Sequence, residues 1–154
     1  MVLDAFWVAG AVTSAVRHAT QHARDRSQFG TPIGSFGEIR WRIADSVLAR
    51  DGLDELAMYT WWLLRQGLAT DADVFALRLK TLEASACVLS HSHQVLAAMG
   101  LCEEHDLTVI DRHLQPVLNR PAGRLESTGL LARAIRADGF EGTYDVRPSV
   151  PAGG

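Results

Sequence analysis

The stretch DRSQFGTPIGSFGEIRWRIAD, Asp25 to Asp45, decides how this chain is read. Up to Asp25 apolar residues recur every three or four positions, and from Phe36 they do so again through Ile39 and Ile43; Gly30, Pro32 and Gly34 separate the two runs. That is the pattern of one helix ending in a tight turn and a second starting beside it. The turn carries Arg26, Gln28 and Phe29: a forked cation, an amide and a flat ring close to a helix N-terminus. Unsatisfied N–H groups and the positive end of the helix dipole gather there, and arginine grips phosphate oxygens in a bidentate fork, so these residue types favour an anion. A second reading stands beside it, in which Arg26 merely caps the last carbonyls of the first helix and Phe29 plugs the turn.

Working outward, three- and four-residue periodicity covers almost the whole chain and strict alternation is nearly absent, which predicts an all-α protein. The first helix is expected over Leu3 to Arg24, with Phe6, Gly10, Thr13, Val16, Thr20 and Ala23 on its inward face. Ser35 and Glu38 have the spacing of a capping box for the second helix, which turns Phe36, Ile39, Ile43, Val47, Leu56 and Leu63 to the core and has Gly52 as a candidate bend. Thr70 and Asp73 form a second such box, opening a third helix with Val74, Leu77, Thr81, Val88 and Val95 inward and Gly100 as its stop. "EEHDLTVIDRHLQ" reads as a shorter helix broken near Pro116, and "ESTGLLARAIRA" as a last one. Long helices joined by short links run antiparallel, so the expected architecture is an antiparallel up-down four-helix bundle with a short additional C-terminal helix over residues 1–138. Residues 139–154, rich in glycine and proline, are expected to be a flexible tail.

Composition narrows the function. The 154 residues, 47% of them hydrophobic, suffice for one domain, and the net charge of −3 offers no basic stripe for nucleic acid. Cys87 and Cys102 form neither a CxxC pair nor a disulfide framework, which points to a reducing, cytoplasmic setting. The apolar start of the chain lacks a basic flank and carries Asp4, so neither a signal peptide nor a membrane span is expected.

The run Arg26-Ser27-Gln28-Phe29-Gly30-Thr31-Pro32-Ile33-Gly34-Ser35-Phe36, continuing through Ile39, Ile43, Ala44 and Asp45, resembles the signature of the C-terminal helical domain of acyl-CoA dehydrogenases. "QVLAAMG", Gln94 to Gly100, is similar to the family's Gln-(Val/Ile)-Leu-Gly-Gly-x-Gly turn, and Arg112 matches the arginine of the element that follows; the likeness runs from about Val2 to Ile135. The resemblance implies an FAD shared between subunits, its flavin ring held by a β-domain and its pyrophosphate and adenosine half reached by the helical domain of a neighbour. On that basis Arg26, Gln28, Phe29, Ile33, Gln94, Ala98 and Gly100 are the cofactor-binding candidates, the partner is a second copy or a related chain in a heteromer, and acyl-CoA is met through that partner. Gly37 stands where the family usually has glutamine, and Ala97 and Ala98 replace its paired glycines.

The family oxidises acyl-CoA between Cα and Cβ, with a glutamate removing the α-proton. Counted without gaps from Gln94, that position falls on Pro121; the alternative position, near the start of the first helix, offers only Asp4. Glu126 comes five residues late and reads as an acid favoured by a helix N-terminus, and Glu141-Gly142-Thr143 lies too far on to match. No catalytic residue is therefore assigned. A family member also has an N-terminal helical domain and a β-domain ahead of this bundle, and neither is in this sequence. The chain then reads as the C-terminal domain or small subunit of such an enzyme, inactive in isolation, or alternatively as a non-catalytic dimerisation or scaffold module. No metal site is expected: His18 and His22 have i, i+4 spacing but no third ligand, His91 and His93 read as helix-face residues, and Cys87 as a core thiol. Trp41, Trp61 and Trp62 read as packing aromatics or interface anchors.

Overall fold

The computed structural model describes residues 1–137. Helix α1, Val2–Asp25, leads through two-residue strands β1, Ser27–Gln28, and β2, Thr31–Pro32, and a 3-10 turn at Ile33–Ser35 into α2, Gly37–Gln66. Helix α3, Asp71–Leu96, ends in a second 3-10 turn, Ala97–Leu101, followed by α4, Asp106–Leu118, and α5, Arg124–Ala137. The links are too short for anything but antiparallel neighbours. Each of α1, α2 and α3 packs on the other two, α4 lies against α1 and α3, and α5 against α3. This is the all-α bundle with an additional C-terminal helix that the periodicity predicts. Among the described residues no helix is long and apolar enough to cross a membrane. The Glu141-Gly142-Thr143 match and the tail over 139–154 lie outside the described residues.

The centre of the bundle is built from small residues on α1. Ala5, Val8, Ala9, Val12, Ala15, Val16, Ala19 and Ala23 are buried there, while Gly10 and Thr13 face solvent and Phe6 and Thr20 are half-buried. Of the expected inward stripe, Val16 and Ala23 are core, Phe6 packs on the core's edge and Thr20 is half-buried, while Gly10 and Thr13 turn outward. Alanine is the more informative residue in this helix: five methyl-sized side chains within one face let α2 and α3 approach closely and fill the space with Leu53, Ala57, Leu77, Ala84 and Val88. Several hydroxyls are buried in the same core. Thr60 Oγ donates to the Leu56 carbonyl at 2.8 Å, Thr81 to Leu77 at 2.7 Å and Ser85 to Thr81 at 2.8 Å, so each satisfies itself within its own helix.

The ends of the helices follow the sequence unevenly. Thr70 and Asp73 form the expected capping box, with the Thr70 hydroxyl accepting from the Asp73 N–H at 3.3 Å and Asp73 accepting from the Thr70 N–H at 2.9 Å. Ser35 does not cap α2. Its hydroxyl donates instead to the Pro32 carbonyl at 2.7 Å inside the 3-10 turn, Phe36 takes the N-cap position, and Glu38 pairs with Arg42 at 2.6 Å. Helix α2 runs unbroken past Gly52, where an added Cβ would meet Lys80 Cε and Nζ at 3.1 Å; the glycine makes room for the lysine. Helix α4 continues through Pro116 to Leu118, since only one ladder bond and some local crowding are at stake so near its end.

What seals that end of α4 is Arg78, 3% exposed on α3. Its guanidinium donates to the Val117 carbonyl at 3.1 Å, the Leu118 carbonyl at 2.6 Å and the Ala122 carbonyl at 2.9 Å. One side chain therefore closes the C-terminus of α4 and fixes the link to α5. Arg78→Met should orphan the Leu118 carbonyl and leave Val117 with only backbone N–H donors, among them Arg120 at 3.4 Å, and Ala122 with the Ser127 hydroxyl at 3.3 Å, at a total cost of about 3 kcal/mol. The expected result is a fall in Tm of about 6 to 12 °C for a chain of this size, read by thermal circular dichroism. A shift within 2 °C would show that the carbonyls find water without penalty.

Candidate functional site

The turn between α1 and α2 forms one wall of a cleft of about 440 Å³. Its residues come from five places: His22 and Arg26 at the end of α1, Gln28 in β1, Ile33 in the 3-10 turn, Phe36 and Ile39 at the start of α2, and Gln94 through Met99 at the end of α3. Five of the seven candidate residues, Arg26, Gln28, Ile33, Gln94 and Ala98, thus meet around one space although up to 72 positions separate them in the chain. The other two sit elsewhere. Gly100 is buried under the turn, where an added Cβ would lie 3.1 Å from Leu96 Cβ and 3.2 Å from His93 Nδ1, so its part is to let the turn close against α3. Phe29 stands at the hairpin tip, 93% exposed, with only an edge-on contact to Phe36 at 6.4 Å between ring centres.

Local geometry explains these placements. Ser27 pairs with Pro32 and Gln28 with Thr31, which leaves Phe29 and Gly30 as a two-residue loop. Both take positive φ, 53° and 80°, as the turn that matches strand twist requires. Glycine does this freely, whereas the phenylalanine is held there at a cost. The Arg26 carbonyl accepts from the Ile33 N–H at 2.8 Å and the Arg26 N–H donates to the His22 carbonyl at 2.9 Å, so the backbone, and not the guanidinium, closes α1. Among the described residues the guanidinium has no acidic partner. Arg26 thus does cap α1, but through its backbone N–H, which leaves the guanidinium out of that task, and Phe29 stands in solvent and does not plug the turn.

Arg26, Gln28 and Gln94 give the cleft one fixed positive charge and two amides, over an apolar floor of Ile33, Ile39 and Val95. That lining suits an anion attached to a flat or apolar body. His22 is the cleft residue the sequence concealed. Its i, i+4 spacing from His18 suggests a metal pair, yet it also lies one helical turn before Arg26, and that spacing is the signal that places it here. His18 is engaged with the start of α4, its Nε2 3.6 Å from Asp106 and its ring edge-on to His105. Burial, and then the positive charges of Arg26 and His105, hold His22 below its ordinary pKa of 6.5, with Asp25 opposing.

The turn at the end of α3 is strained at one point. Ala97 has φ 51° and ψ −129°, a conformation that suits glycine. Where the family motif has two glycines, the fold needs one at this position, and Ala98 beside it merely lines the cleft.

The two positions at which a base was sought also come together. Asp4 and Pro121 line an open depression of about 650 Å³ with Pro116, Val117 and Arg120, and Asp4 is its acidic residue. Glu126 lies in the exposed first turn of α5, and Arg112 is exposed on α4, 3.9 Å from Glu103. Trp41, Trp61 and Trp62 are 56%, 40% and 51% exposed, so they do not serve as core residues. Cys87 is not a core thiol either: it is half-buried and its Sγ donates to Asp45 at 3.2 Å.

Residues 4–118 match the model of the acyl-CoA dehydrogenase C-terminal domain. Among solved structures the chain is similar to glutaryl-CoA dehydrogenase from Mycobacterium smegmatis, at 22% identity and TM-score 0.81 over 86% of this chain and 34% of that one. The FAD complex of PigA is similar at 20% identity and TM-score 0.78, over 84% of this chain and 34% of that one. The steroid ACAD Tcur3481-Tcur3483 is similar at 16% identity and TM-score 0.85, over 90% of this chain and 38% of that one. The chain spans little more than a third of the length of any of these three.

Two outcomes follow from this geometry. Ala97→Gly should relieve the strained backbone and, after the entropy that glycine adds to the unfolded chain, stabilise by roughly 1 kcal/mol. That is a rise in Tm of about 2 to 4 °C, and an unchanged or lower Tm would contradict the strain. For His22, the unfolded chain takes up a proton near the ordinary pKa while the folded one does so only at lower pH. Stability is therefore fully present above pH 6.5 and is lost as pH falls from there through the folded value. The denaturation midpoint should drop between pH 7.5 and 5.0, and the drop should be smaller in His22→Gln; equal drops would clear His22 of the effect.

Proposed function

Since the chain belongs to the acyl-CoA dehydrogenase family through its C-terminal domain, we propose that it forms the pyrophosphate side of an FAD site completed by a second chain. The observation that carries this reading is the cleft in which Arg26, Gln28 and Gln94 converge while the guanidinium has no acidic partner among the described residues. A diphosphate presents two negative charges and several acceptors, of which an arginine fork can neutralise one charge while two amide N–H₂ groups donate to further oxygens. The nearby start of α2, at Gly37, adds backbone N–H groups of the kind that favour phosphate. Ile33, Ile39 and Val95 exclude water from one side of the cleft and strengthen each of these contacts. When bound, FAD supplies the hydride acceptor for α,β-oxidation of an acyl-CoA thioester; this chain's residues bind and orient its non-reacting half.

On this reading the flavin ring and the acyl-CoA are held by the partner, a second copy or a related chain in a heteromer. The likeness to Tcur3481-Tcur3483, whose name joins two components, supports the heteromer. No catalytic residue is assigned here. Pro121 carries no proton-accepting group, and Asp4 is the acidic residue that lines the depression beside it. The exposed Trp61 and Trp62, together with the Phe29 tip, are the surfaces offered to the partner.

In a purified complex with a partner chain carrying the β-domain, Arg26→Ala should weaken FAD retention about 10- to 100-fold, the effect of losing a charge-assisted pair. Helical content should be unchanged, and Arg26→Lys should recover only part, since an ammonium lacks the fork. Flavin absorbance against protein concentration reads the result. A full flavin complement in the alanine variant would leave the dimerisation or scaffold reading in its place.

A further inference from the structure

Three potential metal ligands converge between α2 and α3, on a different set of side chains from the cleft. Cys87 Sγ lies 3.2 Å from Asp45 Oδ2 and 3.7 Å from His91 Nδ1, and the same His91 nitrogen lies 3.5 Å from the same Asp45 oxygen. Three donor atoms, one from each residue, thus form a closed triangle. Around a tetrahedral zinc ion, bond lengths of about 2.3 Å to sulfur and about 2.0 Å to nitrogen and oxygen set the edges of such a triangle. They come to about 3.5 Å for S···O, about 3.6 Å for S···N and about 3.3 Å for N···O. The observed edges agree within about 0.3 Å. The ligands are also carried on rigid elements. Cys87 and His91 are one turn apart on α3, and Asp45 projects from α2, whose spacing from α3 is fixed by the buried Leu53, Ala57, Ala84 and Val88. Trp41 covers one flank, its ring centre 5.3 Å from that of His91.

We propose that Asp45, Cys87 and His91 form a binding site for a zinc-class divalent cation, with water as the fourth ligand. A thiolate and a carboxylate together balance a dication, and the imidazole adds the borderline-soft nitrogen that zinc favours. Three protein ligands leave one position open. Burial, with the hydrogen bond to Asp45, pushes the Cys87 thiol up to about 11, so without the ion the sulfur keeps its proton. On binding, the metal–sulfur bond forms as the S–H bond breaks, and that proton passes to solvent. Lys80 is the opposing positive charge near the thiol. The pairing of His18 with His22 weighed from spacing is replaced here by a set that adds a thiolate and a carboxylate from across the bundle.

Cobalt(II) tests the site on the full chain, because a thiolate bound to tetrahedral cobalt gives a near-ultraviolet charge-transfer band with visible d–d bands. One equivalent should saturate both, zinc should displace them, and Cys87→Ser should abolish the charge-transfer band. His91→Ala should weaken cobalt binding at least tenfold with the far-ultraviolet spectrum intact. Asp45→Asn, which keeps the sulfur and the shape of the site, should do likewise and serves if the cysteine variant misfolds. Cys102→Ser, at the exposed second cysteine, should change nothing. Absence of the thiolate band, or a band that survives Cys87→Ser and disappears in Cys102→Ser, would overturn the proposal and leave the triad as a hydrogen-bonded cluster.

Discussion

The guanidinium of Arg78 is the constraint on which the lower half of this bundle depends. A charged group with 3% exposure is costly to bury without partners, and three carbonyls from the end of α4 and the following link supply them. Because those carbonyls belong to residues 39 to 44 positions further on, the arginine ties the middle of α3 to the point where the chain turns into α5. It also sets the position of the depression lined by Asp4, Pro116, Val117, Arg120 and Pro121, since Val117 is both one of its acceptors and part of that wall. Nothing in the local sequence marks Arg78. It sits in a helical run beside Lys80 and reads as one more solvated cation, until the fold brings the far carbonyls to it.

The legibility of the rest divides along the same line. Helices, their order and their antiparallel run were open to periodicity, and Thr70 with Asp73 was open to capping rules, because all of these depend on residues within a turn or two of each other. The cleft was legible for a different reason: its two halves lie in two short motifs, and a resemblance supplied the link between Arg26 and Gln94 that spacing alone lacks. His22, Phe36 and Ile39 join the cleft only because α1 ends against the start of α2, and Asp45 meets Cys87 and His91 only because α2 and α3 pack in one register. The inward side of α1 differs from the expected stripe at Gly10 and Thr13, which face solvent, because burial there follows the alanines and valines one position away.

The two ends of the bundle divide the chemistry. The end where α1 closes and α3 stops carries Arg26, the hairpin and the strained Ala97; the depression beside Asp4 and Pro121 involves the first turn of α1 and the last turn of α4. Arg26, at the C-cap of α1, is 22 positions after Asp4, or roughly 33 Å at about 1.5 Å per residue. A single compact group therefore cannot touch both, and the two ends are separate surfaces.

The hairpin tip has its own thermodynamic meaning. Phe29 is held in a left-handed backbone by Gly30, by the pairing of Gln28 with Thr31, and by the bond from the Ile33 N–H to the Arg26 carbonyl. The unfavourable conformation is therefore imposed when the chain folds, before anything touches the ring. A projecting loop of ordinary flexibility gives up conformational entropy at the moment of contact, and much of its contact energy goes to freezing itself. This arm arrives already frozen. A surface that received the ring would be spared the cost of ordering that backbone, though not of fixing the ring's own rotamer, and loosening the turn at Gly30 would weaken such a contact without removing it.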